Sequence, residues 1–409
     1  YEDGTVLPYD FIGVAQANRA KVRLEVDKFV GGGFAGQVYR VRILDIDYED
    51  GAIEGLKIGG IYAIKILIPP SNFSRLFRNV LYWIGFQGPF QLQVNPFAAR
   101  AGALWQKFIR RGAKIRLGQQ SSGVDISATF IDEKLRTCGE LSEWVEGRTW
   151  RLEVDDRLDS WKRWIKGKKV DPEKLGSPEY RAKYEFMHHF VELLHQMGAH
   201  EFARQYEWST WKSQPNCLKR TDEKESASQG LTAGDFRAGL ALLPFLPMSP
   251  GDFKLIVTGL FRGSLVQFDR GDITKLKAFT AAHKDEFEGM DGMLAELETT
   301  EEVYRDSIPD ITHNHIRLLF SRKLWSTIQK STITGWKIRN LINEPCRQKL
   351  QNSPLSTLLF GLLGLIPFVG RFLRRIWGQP FWRTHYRRIF TRPDYFRRAL
   401  RAKFIEKIV

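Results

Sequence analysis

Lys21 to Val30 reads KVRLEVDKFV, residues 31–38 read GGGFAGQV, and Tyr39 to Leu44 reads YRVRIL. The first and third stretches alternate apolar and polar side chains as half-buried strands do. The glycines between them therefore predict a turn that sends one strand back beside the other. Without Cβ atoms, such a flap can bring its backbone close to a phosphate. A further strand, Gly60 to Leu67 (GIYAIKIL), sets Lys65 inside an apolar run. A lysine buried in a strand needs an anion, and a nucleotide phosphate supplies one.

Gly31, Gly33, Gly36 and Val38 complete the pattern G-x-G-x-x-G-x-V, and Tyr62-Ala63-Ile64-Lys65 follows it on a strand. This order resembles the N-lobe of the protein kinase superfamily. Because the glycines lie between two strands and not ahead of a helix, the dinucleotide-binding reading is disfavoured. Residues 125–132 (DISATFID) and 139–145 (GELSEWV) read as two more strands, and residues 143–148 (EWVEGR) look like the hinge where kinases bind adenine. Ser177-Pro178 is a helix start, with Ser as N-cap and Pro at the first helical position. Met187, Phe190, Leu194 and Met197 recur at helical spacing, like the central helix of a kinase C-lobe. The helix ends in residues 194–200 (LHQMGAH), similar to the run that precedes a kinase catalytic loop.

The resemblance implies an α+β, two-lobed fold. An antiparallel β N-lobe with its hinge covers residues 15–148, including an aromatic, basic insert at 71–118. A mainly helical C-lobe covers 149–340, and a helical C-terminal extension covers 345–409. It also implies ATP held by Gly31, Gly33, Gly36, Val38, Ala63, Lys65, Glu143 and Val145, with Mg2+ as its companion ion. The run Gly36-Gln37-Val38 is compatible as well with the atypical ubiquinone-biosynthesis branch, but the K-x-G-Q helix motif of that branch is absent.

Three departures bear on activity. Kinases place a catalytic Asp five residues before an Asn that binds Mg2+; here the candidate is Asn216, and Trp211 stands where the Asp belongs. Glu201 and Glu207 are the nearest carboxylates upstream. Each is either a relocated base or a salt-bridge partner of Arg204 or Arg220. The metal-binding D-F-G has its counterpart in Asp235-Phe236-Arg237, with Arg in place of Gly, or that tripeptide is an ordinary turn. The helix expected over residues 97–115 offers Gln106 where kinases carry a Glu that pairs with the strand lysine. The reading thus divides between an enzyme that transfers phosphoryl to a protein or lipid-soluble acceptor and a pseudokinase that docks in a membrane protein complex.

Charge narrows the partners. The chain of 409 residues carries a formal +15, unevenly spread. Residues 66–124 hold eight Lys and Arg and no acid, and residues 345–409 hold fourteen against Asp394 and Glu406, a net +12. The remainder is slightly acidic. The uncharged run 351–370 (QNSPLSTLLFGLLGLIPFVG) is borderline for a membrane span, which needs ~20 apolar residues. It is followed by Arg interleaved with Trp377, Phe381, Trp382, Tyr386 and Phe390, a composition suited to a bilayer interface. The expected location is the cytoplasmic side of a membrane, peripheral or monotopic, with a single span at 351–370 as the other arrangement. A protein partner ranks second. Nucleic acid ranks last, because a phosphate-tracking groove has no need of so apolar a run. The second uncharged run, 79–99, reads as an aromatic loop.

Residues 285–310 carry ten acids and one base, Arg305. They read either as a solvated helical face or as an intramolecular cover for one of the basic regions. Cys138, Cys217 and Cys346 lie far apart with no C-x-x-C spacing, which disfavours a disulfide framework and a cysteine zinc site. His313 and His315 have no third ligand nearby, so metal binding there is disfavoured.

Overall fold

Every second residue of Val6–Gly13 (β1) is buried, and the same alternation buries Ala20, Val22, Leu24 and Val26 of Arg19–Gly32 (β2). Side chains alternate across a strand, so each strand contributes one apolar face. Gln37–Tyr48 (β3), Ile61–Ile66 (β4), Ile126–Asp132 (β5) and Thr137–Glu143 (β6) join them in a closed antiparallel barrel of order β1-β2-β3-β4-β6-β5. The core holds Phe11, Leu24, Val41, Ile43, Ile64, Phe130 and Leu141. β1 closes the barrel by pairing along β2 and, through Ile12↔Thr129 and Gly13↔Ala128, with β5. Closure leaves no open sheet edge for foreign strands to pair with.

The computed structural model describes the chain apart from residues 33–35, 69–70, 74–75, 77–94, 150–177, 204–205, 207–216, 222–228, 235–240, 243–265, 268–270, 308–319, 339, 365, 367–368 and 409. Two units divide it, residues 1–305 with 310–320, and residues 306–309 with 321–409. The sequence reading began the N-lobe at residue 15 and the tail at 345. In the structure the first unit takes in the N-terminal strand, and the second takes in a helix from Arg322 onward.

One end of the barrel is tied by a buried carboxylate. Asp132 accepts hydrogen bonds from the Tyr9 hydroxyl at 2.7 Å, the Tyr1 hydroxyl at 2.5 Å and the Leu135 N–H at 2.7 Å. Three donors replace the water that the charge gives up on burial. Burial, reinforced by the Asp132 hydrogen bond, pushes both phenols well above their usual ionisation range.

Helix α1 (Pro96–Leu117) follows β4. Asn95 caps it by accepting from the Phe97 N–H at 3.1 Å, Pro96 occupies its first turn, and Gly118 ends it at φ 75, all favourable terminus chemistry. It lies against β5 and β6 and against helix α2 (Pro178–Gln196). Trp105, Phe108 and Ile109 of α1 share a core with Phe186, Met187, Phe190, Leu194 and Met197. The stripe expected on the central helix is therefore its buried face. Gly198, at φ 79, turns the chain out of α2; a Cβ there would stand 2.4 Å from the Asp272 carbonyl oxygen. The short helix α3 (His200–Ala203), α4 (Ile273–Ala282) and α5 (Asp291–Ser307) complete the helical elements used below.

The second unit is a string of short helices: α6 (Arg322–Ile338), α7 (Glu344–Gln351), α8 (Pro354–Leu363), α9 (Val369–Gly378), α10 (Pro380–Thr391) and α11 (Pro393–Ile408). Pro354, Pro380 and Pro393 each open a helix, the position where a missing N–H costs nothing. Ile333, Trp336, Ile342, Cys346, Leu350 and Phe360 form its core. The Arg374 guanidinium lies 4.7 Å from the Phe360 ring centre and 5.3 Å from that of Trp336. Burial holds its pKa down to about 10, and the two ring faces offset part of the desolvation. Among the described residues no helix is long and apolar enough to cross a membrane. The ten residues of α8 reach about 15 Å, half of a ~30 Å hydrocarbon core.

Lys183 faces inward on α2, 1% exposed, and its ammonium has no hydrogen-bond partner among the described residues. Burial holds its pKa down to about 8, while burial pushes the neighbouring Cys217 thiol up to about 12. The unfolded chain keeps the Lys183 proton up to its ordinary value of 10.5, and the folded chain releases it from about pH 8. Folding sheds a proton in that window, so stability rises with pH there. Above the ordinary thiol value of 9.0 Cys217 acts in the opposite direction. Urea unfolding at pH 7, 8 and 9 is expected to show Lys183→Met more stable by ~1 to 3 kcal/mol at pH 7, with the gap narrowing toward pH 9. A destabilised variant with an unchanged pH slope would show that the buried amine is held by an anion.

Candidate functional site

The two strands beside the glycine turn pair as neighbours. Gly31 pairs with Val38 and Gly32 with Gln37 across β2 and β3, and Gly33 lies outside the described residues. Among the described residues, a Cβ on Gly31 would meet nothing within 4 Å. A Cβ on Gly36 would stand 2.5 Å from the Ile66 carbonyl oxygen and 3.2 Å from the Leu67 Cα. Gly36 is thus required by the close approach of β3 to the end of β4.

Register carries the flap to the lysine. Val38 pairs with Lys65, Lys65 with Glu140, and Glu140 with Thr129. Directly opposed residues share a face and hold their Cβ atoms about 4.5 to 5.5 Å apart. Gly31, Val38, Lys65, Glu140 and Thr129 therefore form one row across five strands. The next row, Tyr39, Ile64, Leu141 and Ala128, lies in the barrel core. The Lys65 row accordingly faces outward, toward the side that α1 covers, where Ala99 packs on Leu67 and Cys138. Ala63 shares the Lys65 face two residues away and is half-buried.

α1 itself brings no acid. Gln106 is buried on it, and several of its bases are met from elsewhere. Arg100 pairs with Glu296 at 2.7 Å and donates to the Gly13 carbonyl at 2.6 Å. Lys107 meets Asp125 at 2.8 Å, Lys114 meets Glu286 at 2.9 Å, and Arg116 meets Glu192. The Trp105 indole N–H donates to Glu301 at 3.1 Å. Glu286, Glu296 and Glu301 belong to the acidic run, which acts here as an intramolecular cover of the basic helix.

At the hinge, Glu143 meets two arginines and a backbone N–H. One carboxylate oxygen lies 3.1 Å from Arg110, 3.1 Å from Arg220 and 3.0 Å from the Asp125 N–H. Its side chain ties α1, the hinge and strand β8 (Cys217–Arg220) together, and Val145, two residues on, is buried. Trp144 lies under the Arg40 guanidinium at 5.3 Å and the Lys28 ammonium at 5.8 Å. After the hinge, β7 (Gly147–Thr149) pairs with β8, and β8 pairs with β9 (Leu231–Ala233) in the register Cys217↔Ala233.

Asn216 immediately precedes β8 and Asp235 follows β9 by two residues; both, with Glu207 and Trp211, lie outside the described residues. The Glu201 backbone sits in α3, next to His200, whose Nδ1 stands 2.8 Å from His195 Nδ1. Among the described residues no three His, Cys, Asp or Glu side chains gather around a metal position; His313 and His315 lie outside them. The sequence reading missed Glu140, the Arg110–Glu143–Arg220 tie and Lys183. Glu140 was visible as one residue of a strand, but only register assigns it to Lys65.

No family model matches the chain, and no curated protein matches it. Solved structures do. A rhoptry kinase from Toxoplasma gondii matches at 9% identity over 83% of this chain and 87% of that one, with a TM-score of 0.30. Vaccinia related kinase 3 matches at 12% identity over 88% and 92%, with a TM-score of 0.32. The ROP18 kinase domain in complex with AMP-PNP and sucrose matches at 11% identity over 85% and 86%, with a TM-score of 0.23. The proteins named are all kinases. What assigns the fold is the order of elements along this chain: glycine flap, lysine strand, helix, two strands, hinge and long central helix. It is an α+β, kinase-like fold.

Proposed function

We propose that this chain is a two-lobed, kinase-like protein that binds ATP between the glycine flap and the hinge. The observation that carries the reading is the row Gly31, Val38 and Lys65, which sets a cation directly beside the flap. Lys65 takes the phosphates, while Ala63, Val38 and Val145 provide apolar surface for the base. Asn216 and Asp235, which stand in sequence just before β8 and two residues after β9, are the groups of the right chemistry for Mg2+. Phosphoryl transfer to a protein or lipid-soluble acceptor then needs a base, for which Glu201 and Glu207 are the candidates. The second reading, a nucleotide-binding pseudokinase, is favoured by Trp211 in place of the catalytic Asp and by Gln106 on α1.

Thermal unfolding of the full chain with ATP separates these readings. Saturation to 100 times the dissociation constant is expected to stabilise the fold by about 2.7 kcal/mol, with a larger effect in Mg2+, and Lys65→Met is expected to abolish most of it. No shift in the wild-type chain would remove both the enzyme and the nucleotide-binding pseudokinase. A shift with no phosphate transferred to protein, to a lipid extract or to water would select the pseudokinase.

We propose further that the second unit rests on an anionic lipid surface. Leu355, Leu358, Leu359 and Leu362 form an exposed stripe on α8, and Phe381, Phe390, Phe396 and Phe404 are exposed on the Arg-rich α10 and α11. Apolar side chains flanked by bases suit the headgroup boundary, where each base adds ~1 kcal/mol. Replacing the four leucines by Ser leaves the core of the unit untouched. It is expected to weaken co-sedimentation with phosphatidylserine vesicles about tenfold or more, since burying even one or two leucines is worth that much. Unchanged sedimentation would point to a membrane protein as the partner instead.

A further inference from the structure

We propose that Glu140 of β6 is the carboxylate that holds Lys65, in place of an acid on α1. The inference deepens the nucleotide-site reading and rests on it for the role of Lys65. Glu140 is directly opposite Lys65 in the β4–β6 ladder, so both side chains leave the same face of the barrel at cross-strand distance. That face is covered: Glu140 is only 8% exposed, and Thr129, its partner on the other side, is buried as well. A carboxylate so placed is costly to keep charged without a cation beside it. The bases that α1 carries past this side of the barrel are committed elsewhere, Arg100 to Glu296, Lys107 to Asp125 and Arg110 to Glu143. Lys65 is the base that the register itself supplies.

The consequence is mechanical. A counter-ion on a helix can move with the helix, whereas Lys65 and Glu140 sit on hydrogen-bonded neighbours within one closed barrel. The lysine is then oriented by the sheet alone, and its position does not wait on α1. The absence of an acid from α1, which the sequence reads as a mark against the site, ceases to be one.

A double-mutant cycle on the full chain decides the pairing without nucleotide. Lys65→Met, Glu140→Gln and the double variant are unfolded in urea. The double variant is expected to lie closer to wild type than the sum of the two single shifts, because removing both charges leaves neither buried alone. Additive shifts would overturn the pairing. Should Glu140→Gln fail to fold, the reversed pair Lys65→Glu with Glu140→Lys serves: recovery of folded protein over Glu140→Lys alone supports the pair, and no recovery overturns it. A second readout reports positioning. The apparent affinity for ATP is expected to fall about tenfold or more in Glu140→Gln and to be largely kept in Glu140→Asp. If wild type binds no ATP, the nucleotide reading fails while the cycle still decides the ion pair.

Discussion

A backbone contact with no room for a side chain sets the geometry of this protein. At Gly36 the returning strand of the flap runs so close to the end of β4 that one added carbon would stand 2.5 Å from the Ile66 carbonyl. That approach fixes the β3–β4 register, and a slip of one residue would turn Lys65 into the barrel and Ile64 out of it. Everything assigned to the site follows from this alignment: the flap beside Val38, Val38 beside Lys65, Lys65 beside Glu140. The barrel core enforces the same alignment from the other side, since Ile64, Leu141 and Tyr39 can be buried together only in this register.

Charge is organised by the same economy of burial. The acid-free segment looks, in sequence, like a surface prepared for an anionic partner. In the fold, Arg100, Lys107, Arg110, Lys114 and Arg116 of α1 are all met by carboxylates of this chain, two of them from the acidic run more than 170 residues away. Exposed pairs of this kind add little stability each, but Arg100 and Arg110 are largely covered and anchor α1 to the helical part and the hinge. The basic helices of the second unit are different. Asp394 and Glu406 are the only acids after residue 344, and their aromatic neighbours are largely exposed, which is why the search for an outside partner moves there.

Local patterns were legible in the sequence. Alternation marked β2 and β3, three more strands were read over 60–67, 125–132 and 139–145, the helix expected over 97–115 lies within α1, and 3.6-residue spacing marked the buried face of α2. Long-range facts were not. β1 carries Pro8, a residue uncommon in the middle of a sheet, and its closure of the barrel joins residues more than 110 apart. Glu140 reads as an ordinary strand residue until register sets it across from Lys65, and Lys183 looks like a surface base until α2 is packed. The uncharged run 351–370 was borderline for a span, and where its first helix ends, at Leu363, was not marked in it.

The most direct measurement uses an acyl-phosphate derivative of ATP, which transfers its acyl group to the lysine amine nearest the bound phosphates, followed by peptide mass mapping of the labelled chain. Lys65 should be acylated ahead of exposed lysines such as Lys21 and Lys277, and unmodified ATP should suppress that labelling alone. Labelling spread over exposed lysines, with Lys65 spared and ATP without effect, would contradict the assignment of the flap and Lys65 as a nucleotide site.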